Sequence, residues 1–127
     1  MDVYLSRLAQ LQLEALSVIS DEGGGILYGH NQGHRFFVEN VLPAQGVFSA
    51  APERLRRLQD LLQDSFLGFF SLNSGEDKSE SVMGPASVGK VFLVVHNRPE
   101  KKSGFSASVI EYDGTFRLLP VKIKKEA

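Results

Sequence analysis

Residues Phe66–Ser74 read FLGFFSLNS. A strand with one face in water alternates apolar and polar residues, whereas FLGFF is apolar or small throughout, as expected of a strand covered on both faces. The run stops in Ser71, Leu72, Asn73 and Ser74, so its end opens onto polar groups. Just before it, PERLRRLQDLLQD (52–64) begins with a proline, tolerated in the first turn of a helix, and sets Leu55, Leu58, Leu61 and Leu62 along one face. Just after it, SLNSGEDKSESVMGPASVG (71–89) is broken by Gly75, Gly84, Pro85 and Gly89 and reads as loop with at most a helical turn. A second continuous apolar run, KVFLVVH (90–96), follows.

The flanks extend the pattern. In Met1–Ile19 the residues Tyr4, Leu8, Leu11, Ala15 and Val18 recur three or four apart, which predicts one amphipathic helix over the whole segment. Three glycines, Gly23–Gly25, precede a short strand at Ile26–Tyr28; the polar stretch GHNQGH (29–34) predicts a long loop, and RFFVENVLP (35–43) a partner strand. The tail GFSASVIEYDGTFRLLPVKI (104–123) reads as two strands joined at Asp113–Gly114, a favoured hairpin pair. Interleaved helices and strands predict an α/β fold, a three-layer mixed β-sheet flanked by helices, in one domain over 1–127.

Composition narrows the function. The chain has no cysteine, which excludes disulfides, thiolate metal sites and cysteine nucleophiles. A formal net charge of -1 gives no field for nucleic acid, and the basic clusters Arg54, Arg56, Arg57 and Lys122, Lys124, Lys125 read as solvated faces. No apolar run approaches a membrane span and MDVYLSRLAQ lacks the layout of a signal peptide, so a cytoplasmic location is expected, with no membrane partner. The GGG cluster lacks the helix start and lysine of a phosphate loop.

Two stretches carry chemistry. EGGGILYG (22–29) sets an acid three residues before a glycine that opens an apolar strand, and GFFSLNSGEDKSESVMG (68–84) follows at a fixed remove. In this order and spacing they resemble the JAMM/MPN metalloproteases, whose motif is Glu-x-x-Gly-(apolar)-Leu-x-Gly, then a strand ending in His-x-His-Pro, then Ser-x-x-Asp. The resemblance implies the cytidine deaminase-like α/β type of fold. It matches Glu22 to the general base, Ser71 and Asn73 to the two histidine ligands, Ser74 to the proline, Ser81 to the motif serine and Gly84 to the aspartate ligand.

All three zinc ligands of the family are therefore replaced. Zinc catalysis needs protein ligands and an open position to acidify a bound water, and a lone Glu22 has no such water to deprotonate. The resemblance thus implies a catalytically inactive module, without metal or cofactor. Glu22, Ser71, Asn73, Ser81 and Gly84 rim a vestigial cleft that takes a protein or peptide partner. Active members hold an extended tail as an added strand, a mode that rests on backbone edges. Glu22 is expected to accept hydrogen bonds from nearby backbone or from Ser71. The alternative is an (iso)peptide hydrolase in which Glu22 with Asp77 or Glu80 holds magnesium, calcium or manganese. A third reading is a structural subunit that pairs with itself as a homodimer. The histidines offer no replacement: His30 lies roughly 25 Å along an extended strand from Glu22, at about 3.3 Å per residue.

Overall fold

The computed structural model describes residues 1–20, 22–44, 46–72, 78–98 and 101–126. The stretch FLGFFSL is strand β4 (Phe66–Leu72), buried at every position. Its side chains divide between two cores. Leu67, Phe70 and Leu72 point into a cluster to which every strand of the sheet contributes. Phe66 and Phe69, packed edge to face at 5.3 Å, point the other way. Each fully buried aromatic contributes about 1.5–3 kcal/mol through area removed from water, so β4 is the ridge to which both cores are fastened.

The other strands are β1 (Asp2–Leu5), β2 (Gly24–Gln32), β3 (Arg35–Pro43), β5 (Val91–Arg98), β6 (Lys101–Tyr112) and β7 (Phe116–Lys125), with helices α1 (Arg7–Ile19) and α2 (Pro52–Leu62). They do not form the expected three-layer mixed sheet flanked by helices, nor the cytidine deaminase-like α/β type that the motif resemblance implied. The strands close into a barrel in the order β1-β3-β2-β4-β5-β6-β7. Closure depends on β1, which pairs in parallel with β3 (Val3 opposite Phe36) and with β7 (Val3 opposite Ile123). The remaining parallel pair is β4 with β5, joined by the segment that carries the motif serine.

The α/β expectation failed at the N-terminus. The spacing of Tyr4, Leu8 and Leu11 imitates one helix, but residues 2–5 alternate half-buried and buried in strand fashion. Val3 and Leu5 fill the barrel interior beside Ala9 and Leu13 of α1. The helix starts only after Ser6, whose hydroxyl accepts the Ala9 N–H at 3.0 Å and donates to the Glu39 carbonyl at 2.9 Å. This cap satisfies one of the orphan donors of the first turn and ties α1 to β3. The buried face of α1 is Ala9, Leu13 and Ser17, with Leu16 packed beside them. The face picked by periodicity is exposed: Leu8 and Leu11 at 52%, Val18 at 80%.

On the outer side, Leu55, Leu58 and Leu62 of α2 cover Phe66, Phe69, Phe92 and Ile110, whereas Leu61 is exposed. The β2–β3 connection is shorter than the polar run suggested. Pairing continues to Gln32 opposite Arg35, and the turn is Gly33–His34 alone. His30, Asn31 and Gln32 are polar because they stand exposed beyond the core, not because they leave the strand. The hairpin at Asp113–Gly114 joins β6 to β7 as expected. Among the described residues no helix is long and apolar enough to cross a membrane.

Candidate functional site

The end of α1, the start of β2 and the end of β4 meet at one end of the barrel. Ser20 terminates α1 with its N–H on the Leu16 carbonyl at 3.0 Å. Its hydroxyl donates to the Glu22 carbonyl at 2.6 Å and accepts the Glu22 N–H at 3.2 Å, a tight turn that sets Glu22 at the barrel rim. Gly23 then takes φ +109, a region costly for any side chain, and its carbonyl receives the Leu72 N–H at 2.9 Å. Gly24 lies opposite Ser71. A Cβ on Gly24 would stand 2.1 Å from the Phe70 carbonyl oxygen and 2.6 Å from the Phe48 ring. The glycines therefore let strand, aromatic ring and backbone close up; they hold no phosphate loop.

Against this wall lies a cleft of about 630 Å³. Its apolar lining comes from Leu16, Phe48, Phe70 and Leu72, and its rim carries Ser20, Glu22, Ser49 and Lys78. The Lys78 ammonium sits 5.7 Å from the centre of the Phe48 ring, in range of a cation–π attraction. Among the described residues neither the Glu22 carboxylate nor the Lys78 ammonium has an ion pair within 4 Å. The site thus offers an apolar trough with one acid and one base at its mouth. It suits a segment that buries one apolar side chain and presents polar or charged groups to either side.

The residues singled out by the motif are only partly gathered. Glu22 lines the cleft, but its hydrogen bonds among the described residues come from its backbone, and the residue is exposed. Among the described residues, the hydrogen bonds expected at its carboxylate from Ser71 or nearby backbone are not seen. Ser71 is at the same end of the barrel but fully buried and outside the cleft lining, between Gly24 of β2 and Val94 of β5. Asn73, Ser74 and Asp77 lie outside the described residues. Ser81 sits on a 3-10 turn (Glu80–Val82), exposed, its hydroxyl donating to the Lys78 carbonyl at 2.6 Å; it braces the segment that carries Lys78 and does not line the cleft. Gly84 precedes a second such turn (Pro85–Ser87), extended, with nothing within 4 Å of an added Cβ. Glu80 is exposed and outside the cleft lining, and among the described residues no three histidine, cysteine or acidic side chains come together as a metal would require.

Sequence reasoning missed Lys78 and Phe48 as site residues. Phe48 divides between core and cleft: it tilts against Phe92 at 6.1 Å and also lines the cleft. Lys78 belongs to a polar loop whose course no periodicity reveals. The histidines stand elsewhere: His30 pairs with Glu39 and stacks on Phe37, and His96 contacts the Ser106 hydroxyl at 3.0 Å.

No family model matches the chain, and no curated protein matches it. Among solved structures, the chain is similar to the solution structure of protein DSY2949 from Desulfitobacterium hafniense, with a TM-score of 0.59 and 17% identity, covering 98% of this chain and 94% of that one. At that identity the likeness is one of fold alone.

Proposed function

We propose that the chain is a catalytically inactive binding module, related in its motif to the JAMM/MPN domains, whose ligand is an extended peptide segment held in the cleft beside Glu22. The observation that carries the reading is the cleft itself: about 630 Å³ with an apolar floor and one charge of each sign at the mouth. It lies against the glycine wall that follows Glu22, the motif residue that lines it. A buried serine at one ligand position and a glycine at another supply no strong donors for zinc, which supports binding over hydrolysis.

The mode of binding differs from strand addition. Each strand of the barrel has a neighbour on both sides, and the carbonyls of Gly23 and Gly24 already receive the N–H groups of Leu72 and Ala44. A peptide therefore engages side chains: an apolar residue against Phe48, a cationic group near Glu22 and an anionic group near Lys78.

Selection of a displayed random peptide library on the immobilised chain supplies the test. Winning peptides should pair an apolar residue with a charged neighbour and lose about tenfold or more in affinity on Phe48→Ala, the cost of about 1.4 kcal/mol expected of a floor residue. Unchanged affinity in Phe48→Ala and in Lys78→Glu would place binding elsewhere. A panel of peptide and isopeptide substrates with several divalent metals covers the hydrolase alternative. Turnover by the natural chain that vanishes in Glu22→Gln would mean a working base and defeat the inactive assignment.

A further inference from the structure

At the opposite end of the barrel, Lys90 leads into β5 with its backbone fixed on both sides. The Gly89 N–H donates to the Ile110 carbonyl at 2.8 Å, the Lys90 N–H to the Ser87 carbonyl at 3.0 Å, and the Ile110 N–H to the Lys90 carbonyl at 2.8 Å. The half-buried side chain runs under the Phe66 ring, its nitrogen 4.9 Å from the ring centre, and donates to the Phe66 carbonyl at 2.6 Å. Lys90 lines a pocket of about 310 Å³ together with Asn31, Phe36, Asp64, Phe66, Leu67 and Gly89. Gly89, at φ +84 and with open space where a Cβ would stand, leaves the approach clear. Among the described residues, Asp64 is the one other titratable group of the lining.

From this geometry we infer that Lys90 is an amine nucleophile whose pocket takes a small uncharged aldehyde as an imine. The bond to Phe66 uses one N–H and leaves the lone pair of the free amine and its second hydrogen directed away from that carbonyl. Burial lowers the Lys90 pKa from the ordinary lysine value, with the Asp64 charge opposing, so the free amine is present at lower pH than on a solvated lysine. The lone pair adds to the carbonyl carbon. Both amine hydrogens then leave with the carbonyl oxygen as one water, and the C=N bond forms without oxidant or reductant. A proton from solvent gives the iminium, whose single N–H takes over the bond to the Phe66 carbonyl while Asp64 supplies the countercharge. That same carboxylate disfavours anionic aldehydes. The pocket volume lies at the lower limit of small-molecule sites, which sets the size class.

The test is reductive trapping on the full chain with limiting benzaldehyde and cyanoborohydride near neutral pH, each lysine read by peptide mass spectrometry. Lys90 should take up the benzyl group several-fold faster than Lys78, Lys101, Lys102, Lys122, Lys124 or Lys125, and the preference should vanish in urea. Asp64→Asn removes the charge that favours the ammonium, so the midpoint of the Lys90 pH profile should fall further while those of the other lysines hold. Lys90→Arg retains a donor for Phe66 and should show no product at the site. Should Asp64→Asn fail to fold, the pH profile of the natural chain decides, with the Lys90 midpoint below those of the other lysines. Labelling of Lys90 no faster than the rest, or a preference that survives in urea, overturns the proposal.

Discussion

Gly24 and Gly84 both occupy motif territory, yet their surroundings predict opposite responses to a side chain. Gly24→Ala forces a Cβ into the Phe70 carbonyl and the Phe48 ring, and urea unfolding should show a loss of at least about 2 kcal/mol, as for overpacked cores. Gly84→Asp meets open space on extended backbone and should change stability by no more than about 0.5 kcal/mol. Restoring an aspartate at the ligand position is therefore cheap, whereas a histidine at fully buried Ser71 has no room. Lys90 carries a pH signature. With its folded pKa lowered, the unfolded chain binds more protons between that value and 10.5, so stability rises with pH across this window. Relative to Lys90→Met, the natural chain should gain stability as pH rises through the window and lose that gain as pH falls through the folded pKa; a flat difference in unfolding free energy against pH would contradict it. At this scale the sequence made Glu22 legible as a rim residue through its place before the glycines. It could not disclose Lys78, because only the tertiary course of the loop brings that ammonium over Phe48.

Elements were legible wherever one face of a segment met one environment. The strands of the two hairpins and helix α2 could be read from alternation, turn residues and the leucine stripe. Helix α1 could not be read correctly, because it has two apolar stripes and periodicity does not say which one is buried. Leu13 is fully covered in the barrel core and Leu11 is half exposed, so Leu13→Ala should cost about 2–5 kcal/mol and Leu11→Ala under about 1 kcal/mol. Equal losses in thermal or urea unfolding would mean that the stripe read from spacing is the packed one.

Closure of the barrel is a property of the whole molecule and was illegible locally. Four residues, DVYL, are too few to outweigh the helical spacing that follows, and their partners lie at residues 35–38 and 122–125. Parallel pairing across such separations leaves no short-range trace, so a three-layer sheet was the natural reading. The barrel predicts that removing residues 1–5 strips β3 and β7 of a neighbour and uncovers the interior occupied by Val3 and Leu5. Exposed strand edges template further pairing, so the truncated chain should self-associate on size exclusion and lose hydrogen-exchange protection in β3 and β7. A monomer with full protection there would mean the ring is not what holds the fold.

Whether the end of the barrel beside Glu22 is a peptide-binding cleft can be read from the amide shifts of the labelled chain on titration with a peptide selected as above. The largest shifts should fall on Ser20, Gly23, Gly24, Phe48, Ser49 and Lys78, with little change at Asn31, Asp64 or Gly89 at the opposite end. Shifts confined to another face, or scattered without a centre at the cleft, would contradict it.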